Sequence, residues 1–127
     1  MTSVEKLRDV LIDITNNGDH KSMATNLLTV TYLVRRLLVV NPDEVLNTLD
    51  NVITNNVDSF SGIRIGMAQA YWRGSLYEYH FMHTLIGVAR ELGNKTTRQN
   101  SMLKVSPESL RRFNVPGIEK VITHYSA

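Results

Sequence analysis

The chain has 127 residues and no cysteine, with 14 Lys+Arg against 12 Asp+Glu. That length supports one compact domain, residues 1–127, and 43% hydrophobic against 20% charged residues is too apolar for a disordered tail. Without cysteine there is no disulfide scaffold, no thiol nucleophile and no Cys-ligated zinc site.

The first segment, residues 2–16, predicts a helix. Thr2 caps it, and Glu5 three positions on completes a capping box. Val4, Leu7, Val10 or Leu11, and Ile14 repeat at helical spacing, and Asn16-Asn17-Gly18 ends the helix through residues that tolerate the left-handed conformation. This start enters an amphipathic pattern at once and has none of the parts of a signal peptide. The second segment, Ser22 to Val40, supports two periods. Leu27, Val30, Val34, Leu37 and Leu38 form a helical stripe, while Leu28, Val30, Tyr32 and Val34 alternate as in a strand. Its length favours the helix. It is also the most apolar run, and Arg35 and Arg36 interrupt it, so no membrane span is expected.

Asn41-Pro42-Asp43-Glu44 is the clearest local signal. Asn41 is placed to cap, Pro42 sits where its missing N–H costs nothing, and the two acids face the positive end of the dipole. Val45 or Leu46, Leu49, Val52 and Ile53 supply the buried stripe, and helices two and three are expected to form a hairpin. Val57 to Gly66 reads as a loop with a short extended run, Ile63-Arg64-Ile65. The longest helix is expected from Met67 to Leu92, apolar on two sides and holding Tyr71, Trp72, Tyr77, Tyr79 and Phe81. A polar, aperiodic connection follows, at about residues 93–105. Ser106-Pro107-Glu108-Ser109 then opens a short helix to Phe113, Asn114-Val115-Pro116 breaks it, and a last turn or two runs from Gly117 to Tyr125.

The pattern predicts an all-α fold, five or six helices around the long fourth one. An α+β fold with strands at 29–34 and 63–65 is the runner-up. The expected core draws on Leu7, Leu11, Ile14, Leu27, Val34, Leu38, Leu46, Leu49, Ile53, Trp72, Leu85 and Leu92.

The net charge of +2 conceals an asymmetry: residues 1–60 carry −3 and residues 61–127 carry +5. The densest basic stretch holds Lys95, Arg98, Lys104, Arg111 and Arg112, with only Glu108 opposing. Such a stretch suits phosphate contacts to DNA or RNA, or an acidic protein surface. The segments around Asn114-Val115-Pro116 loosely resemble a helix-turn-helix, although Pro116 and Gly117 are unusual in a recognition helix. The alternative there is a hairpin packing Leu110, Phe113, Ile118 and Val121 onto the core.

Enzyme chemistry finds little support. Gly62-Ile63-Arg64-Ile65-Gly66 lacks the Lys-Ser/Thr of a phosphate loop, and no Gly-x-Ser-x-Gly is present. His80 and His83 share a helical face, but His-Glu-x-x-His spacing is absent, so no metal or cofactor is expected. Glu78 is the acid most surrounded by aromatic residues, and a small helical enzyme would gather it with the two histidines. Aromatic, Met and Arg side chains are favoured in interface cores, and here they interleave on the expected long helix. The sequence therefore points to a small cytoplasmic, non-enzymatic interaction protein: a homo-oligomer, or an adaptor or inhibitor of a larger protein. Arg73, Tyr77 and His80 are its candidate contact residues. A nucleic-acid-binding regulator using segment 95–112 is the alternative.

Overall fold

The computed structural model describes residues 1–93 and 105–126, and among these the chain forms six α-helices and three 3-10 segments, with no strand. The all-α reading holds and the α+β runner-up falls. Thr2 Oγ1 accepts the Glu5 amide at 3.1 Å, opening α1 (Ser3–Asn16), which buries Leu7, Leu11 and Ile14. Its exit differs from expectation: Asn17 is extended (φ −121°, ψ 120°), not left-handed. The Asn17 side chain instead accepts the Asp19 amide at 2.9 Å, closing a tight turn into the next helix.

Asp19 caps α2 (His20–Val40) by accepting the Lys21 and Ser22 amides. The Ser22 hydroxyl also donates to it at 2.8 Å, and these bonds hold the Asp19 carboxyl below its usual range. The strand-like alternation in α2 gives way to helix because nine residues from Met23 to Leu38 are buried on helical spacing. Thr31, fully buried among them, donates to Leu27 O at 2.8 Å. By length and composition α2 is long and apolar enough to cross a membrane, contrary to the sequence expectation, and half of its most apolar stretch is buried inside the bundle.

Pro42, Asp43 and Glu44 open α3 (Pro42–Thr54) as expected, except that the Asn41 side chain makes no cap bond. At φ −152° and ψ 60°, Asn41 uses its backbone N–H to close α2 onto Leu37 O at 2.7 Å.

The expected loop at 57–66 is largely helical. A 3-10 turn (Val57–Phe60) buries Phe60, and Ser61 then caps α4 (Gly62–Ala68) by accepting the Arg64 amide at 3.2 Å. The expected Met67–Leu92 helix is broken. A 3-10 turn (Gln69–Tyr71) is followed by an irregular stretch at 72–75, and α5 (Leu76–Leu92) starts at a new cap, where Ser75 Oγ accepts the Glu78 amide at 3.2 Å. Gly74 makes the break: a Cβ there would fall 2.8 Å from Trp72 Nε1 and 2.9 Å from Leu28 Cδ1. The indole N–H donates to Ser75 O at 2.9 Å, folding the ring back over the bend.

Beyond the connection, Pro107–Phe113 is 3-10 rather than α-helical, and Ser106 makes no side-chain cap. Asn114 is left-handed (φ 51°), and α6 (Ile118–Ser126) follows Gly117, whose φ is +84°. The lack of a true α-helix before the turn removes the helix-turn-helix. The hairpin reading holds, with Leu110, Phe113, Ile118 and Val121 all buried. The core unites all six helices. Ten of the twelve expected core residues are buried, while Trp72 and Leu92 pack against it half-buried.

Candidate interaction site

At about 100° per residue, Ile65 and Ala68 on α4 face inward and Ile63 and Met67 face outward. The exposures agree: Ile65 is 2% exposed and Ala68 1%, against 80% for Ile63 and 53% for Met67. Tyr71, 50% exposed, extends the outer face into the following 3-10 turn. The stretch is apolar on both sides and its outer side is uncovered. Its single charged residue from 59 to 72 is Arg64, and that guanidinium is turned inward. It donates to Ile14 O at 3.0 Å, to Ser59 O at 2.7 Å and to Asn17 O. One side chain thereby ties α4 to the end of α1.

Next to this face a groove of about 550 Å³ runs between α2 and residues 70–73. Ala24, Leu28 and Trp72 give it an apolar floor, and Lys21, Thr25, Tyr71 and Arg73 are exposed around it. Neither Lys21 nor Arg73 has an acidic partner among the described residues. A groove of this kind offers apolar contact to a guest and leaves two cations for its carboxylates.

The structure separates the three expected contact residues. Arg73 lies in the bend and lines this groove. Tyr77 stands in the first turn of α5, 44% exposed, with its ring edge-on to Phe113 at 5.5 Å. His80 is exposed on α5, with its ring edge-on to Tyr79 at 5.4 Å. The break at Gly74 takes Arg73 off the α5 stripe that a continuous helix would have given it. Ile63, Met67 and Tyr71 were not singled out from sequence as a face, and Ser61 was the signal that could have found α4.

Of the basic residues, Lys95, Arg98 and Lys104 lie outside the described residues. Arg111 is held by Glu119 in a two-pronged pair at 2.7 and 2.9 Å, which raises the Arg111 pKa and lowers that of Glu119. Arg112 is exposed, with its guanidinium 4.7 Å over the Phe113 ring. Glu78 does not meet the histidines. It is paired with Arg35 of α2, whereas His80 and His83 lie 140–200° around α5 by helical rotation. His83 stacks on Tyr79 at 5.8 Å; burial first, then the positive charges of His80 and Arg90, lowers its pKa. Burial raises the pKa of Tyr79, whose hydroxyl donates to Ile65 O at 3.3 Å. Among the described residues no three His, Cys, Asp or Glu side chains gather as a metal site.

Comparison with known proteins adds no relative: no family model, no curated protein and no solved structure matches the chain.

Proposed function

We propose that this is a small non-enzymatic interaction protein that docks a segment of a larger protein on the outer face of α4 and in the adjoining groove. The occupant is a stretch combining apolar and acidic side chains. The observation that carries this reading is the uncovered apolar face of Ile63, Met67 and Tyr71 beside two cations, Lys21 and Arg73, that have no acidic partner among the described residues. Covering a large, fully exposed apolar side chain is worth roughly 1.5–3 kcal/mol, and because association itself costs a comparable amount, the two cations beside the face are needed as well as its apolar contact.

A fluorescein-labelled helical peptide with Leu and Glu at i, i+3, i+4 spacing tests it against the same peptide with Lys for Glu. The acidic peptide is expected to bind, and Arg73→Glu to weaken it at least about tenfold, or 1.4 kcal/mol. Equal binding of both peptides, or of neither, refutes the reading. Sedimentation velocity tests the other occupant, a second copy: a dimer abolished by Met67→Glu would replace the hetero-partner with self-association.

A nucleic-acid regulator is the second reading, favoured by Arg112, which is exposed and without an acidic partner among the described residues. Anisotropy of labelled duplex DNA, single-stranded DNA and RNA at about 50 and 200 mM salt checks it, since phosphate contacts lose affinity steeply with salt. Arg112→Ala is expected to flatten that slope, and an absence of binding at low salt ends the reading.

A further inference from the structure

A second concavity lies on another side of α4, where it meets α5. It holds about 350 Å³ and is lined by Phe60, Ile65, His83, Thr84, Arg90 and Val105, with two glycines, Gly62 and Gly87, in its walls. That volume falls within the range of roughly 300–1,000 Å³ typical of small-molecule sites, which pair apolar walls with a few converging polar groups.

Gly87 is informative. It stands inside α5, where glycine is unfavourable relative to alanine, yet a Cβ built on it would meet nothing within 4 Å. Packing therefore does not demand glycine there; the absent side chain leaves the space open. Gly62 acts similarly, since its Cβ would lie 3.9 Å from His83 Nε2 and would fill the room beside that nitrogen.

The polar groups around the space have capacity to spare. Neither the His83 ring nitrogens nor the Thr84 hydroxyl has a hydrogen-bond partner among the described residues, and the Tyr79 stack orients the His83 ring. Arg90 uses its Nε and Nη2 on Glu91 and makes a long 3.4 Å bond from Nη1 to Phe60 O. The other charged groups nearby, among the described residues, are engaged elsewhere. Glu91 is paired with Arg90, Arg64 points away to the end of α1, and Asp58 lines a neighbouring concavity with Arg90 and Glu91. Among the described residues, the charges that act on His83 are the positive ones of His80 and Arg90.

We infer that this concavity binds a small carboxylate with an apolar body. Its head meets His83, Thr84 and Arg90, and its body lies against Phe60 and Ile65. The Thr84 hydroxyl and the Arg90 Nη1 donate to the carboxylate. The same charge favours the protonated imidazole, so His83 takes up a proton on binding and becomes a third donor. The inference stands apart from the α4 outer face and survives if that face proves idle.

Octanoate is the probe, with octanamide as its uncharged match, followed by amide and histidine-ring NMR shifts at concentrations below micelle formation. Octanoate is expected to shift Ile65, Thr84, Gly87 and the His83 ring, to bind at least about tenfold tighter than octanamide, and to raise the His83 ring pKa. Gly87→Leu should abolish binding by filling the space while circular dichroism stays native, and Gly62→Leu does the same from the other wall if the first variant fails to fold. His83→Gln should reduce the preference for carboxylate over amide without removing octanamide binding. Equal affinity for the two probes, shifts centred on another surface, or unchanged binding in both filled variants would overturn it.

Discussion

Replacing Arg64 with Met keeps the aliphatic stem and removes the guanidinium that bridges α4 to α1. Three carbonyls, Ile14 O, Asn17 O and Ser59 O, lose their donor. A hydrogen bond from a charged group is worth roughly 1.5–3 kcal/mol, but the site is only half-buried, so water reaches part of the vacated carbonyls, and the three bonds share one side chain and do not add. The expected loss is about 3 kcal/mol. Against a total stability of roughly 5–15 kcal/mol that is a large fraction, and it corresponds to a fall in Tm of roughly 10 °C. Urea denaturation followed by circular dichroism measures it, with an unchanged slope expected because the folded surface is the same. A loss under about 1 kcal/mol would show that the Ser61 cap and the burial of Ile65 and Ala68 hold α4 unaided, and the tie would be incidental.

Gly117→Ala should cost about 2 kcal/mol or more, since φ is +84° and the Cβ would lie 2.6 Å from Leu38 O; Gly87→Ala, with open space, should stabilise by roughly 0.5–1 kcal/mol, and equal effects in thermal melts would refute the contrast. Asp50→Ala removes the acceptor of both the Tyr125 hydroxyl at 2.8 Å and His124 Nε2 at 2.7 Å, and should cost about 2 kcal/mol in urea titration; a loss within error would mean that α6 docks through its buried apolar face, Ile118, Val121, Ile122 and the Tyr125 ring, without these bonds. Folded His83 binds its proton more weakly than the unfolded chain does, so its stabilising contribution is complete above about pH 6.5 and declines as pH falls below that value. His83→Gln should flatten the dependence of stability on pH between about 6.5 and 5, and an identical slope in the variant would contradict the lowered His83 pKa.

Helix starts were the most legible part of the fold. Thr2 with Glu5, and Pro42 with Asp43 and Glu44, are local chemistry that tertiary packing had no reason to override. The stretch from Phe60 to Ser75 was misread for an equally local reason. Gly62 and Gly66 argue against helix, and Ile63-Arg64-Ile65 alternates like a strand, so α4 forms only because the core receives Ile65 and Ala68 and the end of α1 receives Arg64. The break before α5 carried a readable sign, Ser75 three residues before Glu78, which the continuous apolar stripes masked. Arg73 stands out in the sequence as a contact residue because it interleaves with aromatic residues on the expected long helix, but its groove was not legible. The groove exists only because the bend at Gly74 lays residues 70–73 along Lys21, Thr25 and Leu28, about fifty residues earlier in the chain.

The central claim is that the outer face of α4 is a docking surface, and site-specific photo-crosslinking in cells tests it most directly. A benzophenone side chain placed at Met67 is compared with one at Thr123, exposed on α6. The account predicts one discrete adduct from position 67, identified by mass spectrometry through a peptide bearing apolar and acidic residues, and its loss on Arg73→Glu. The same adducts from both positions, or none from position 67, would contradict it.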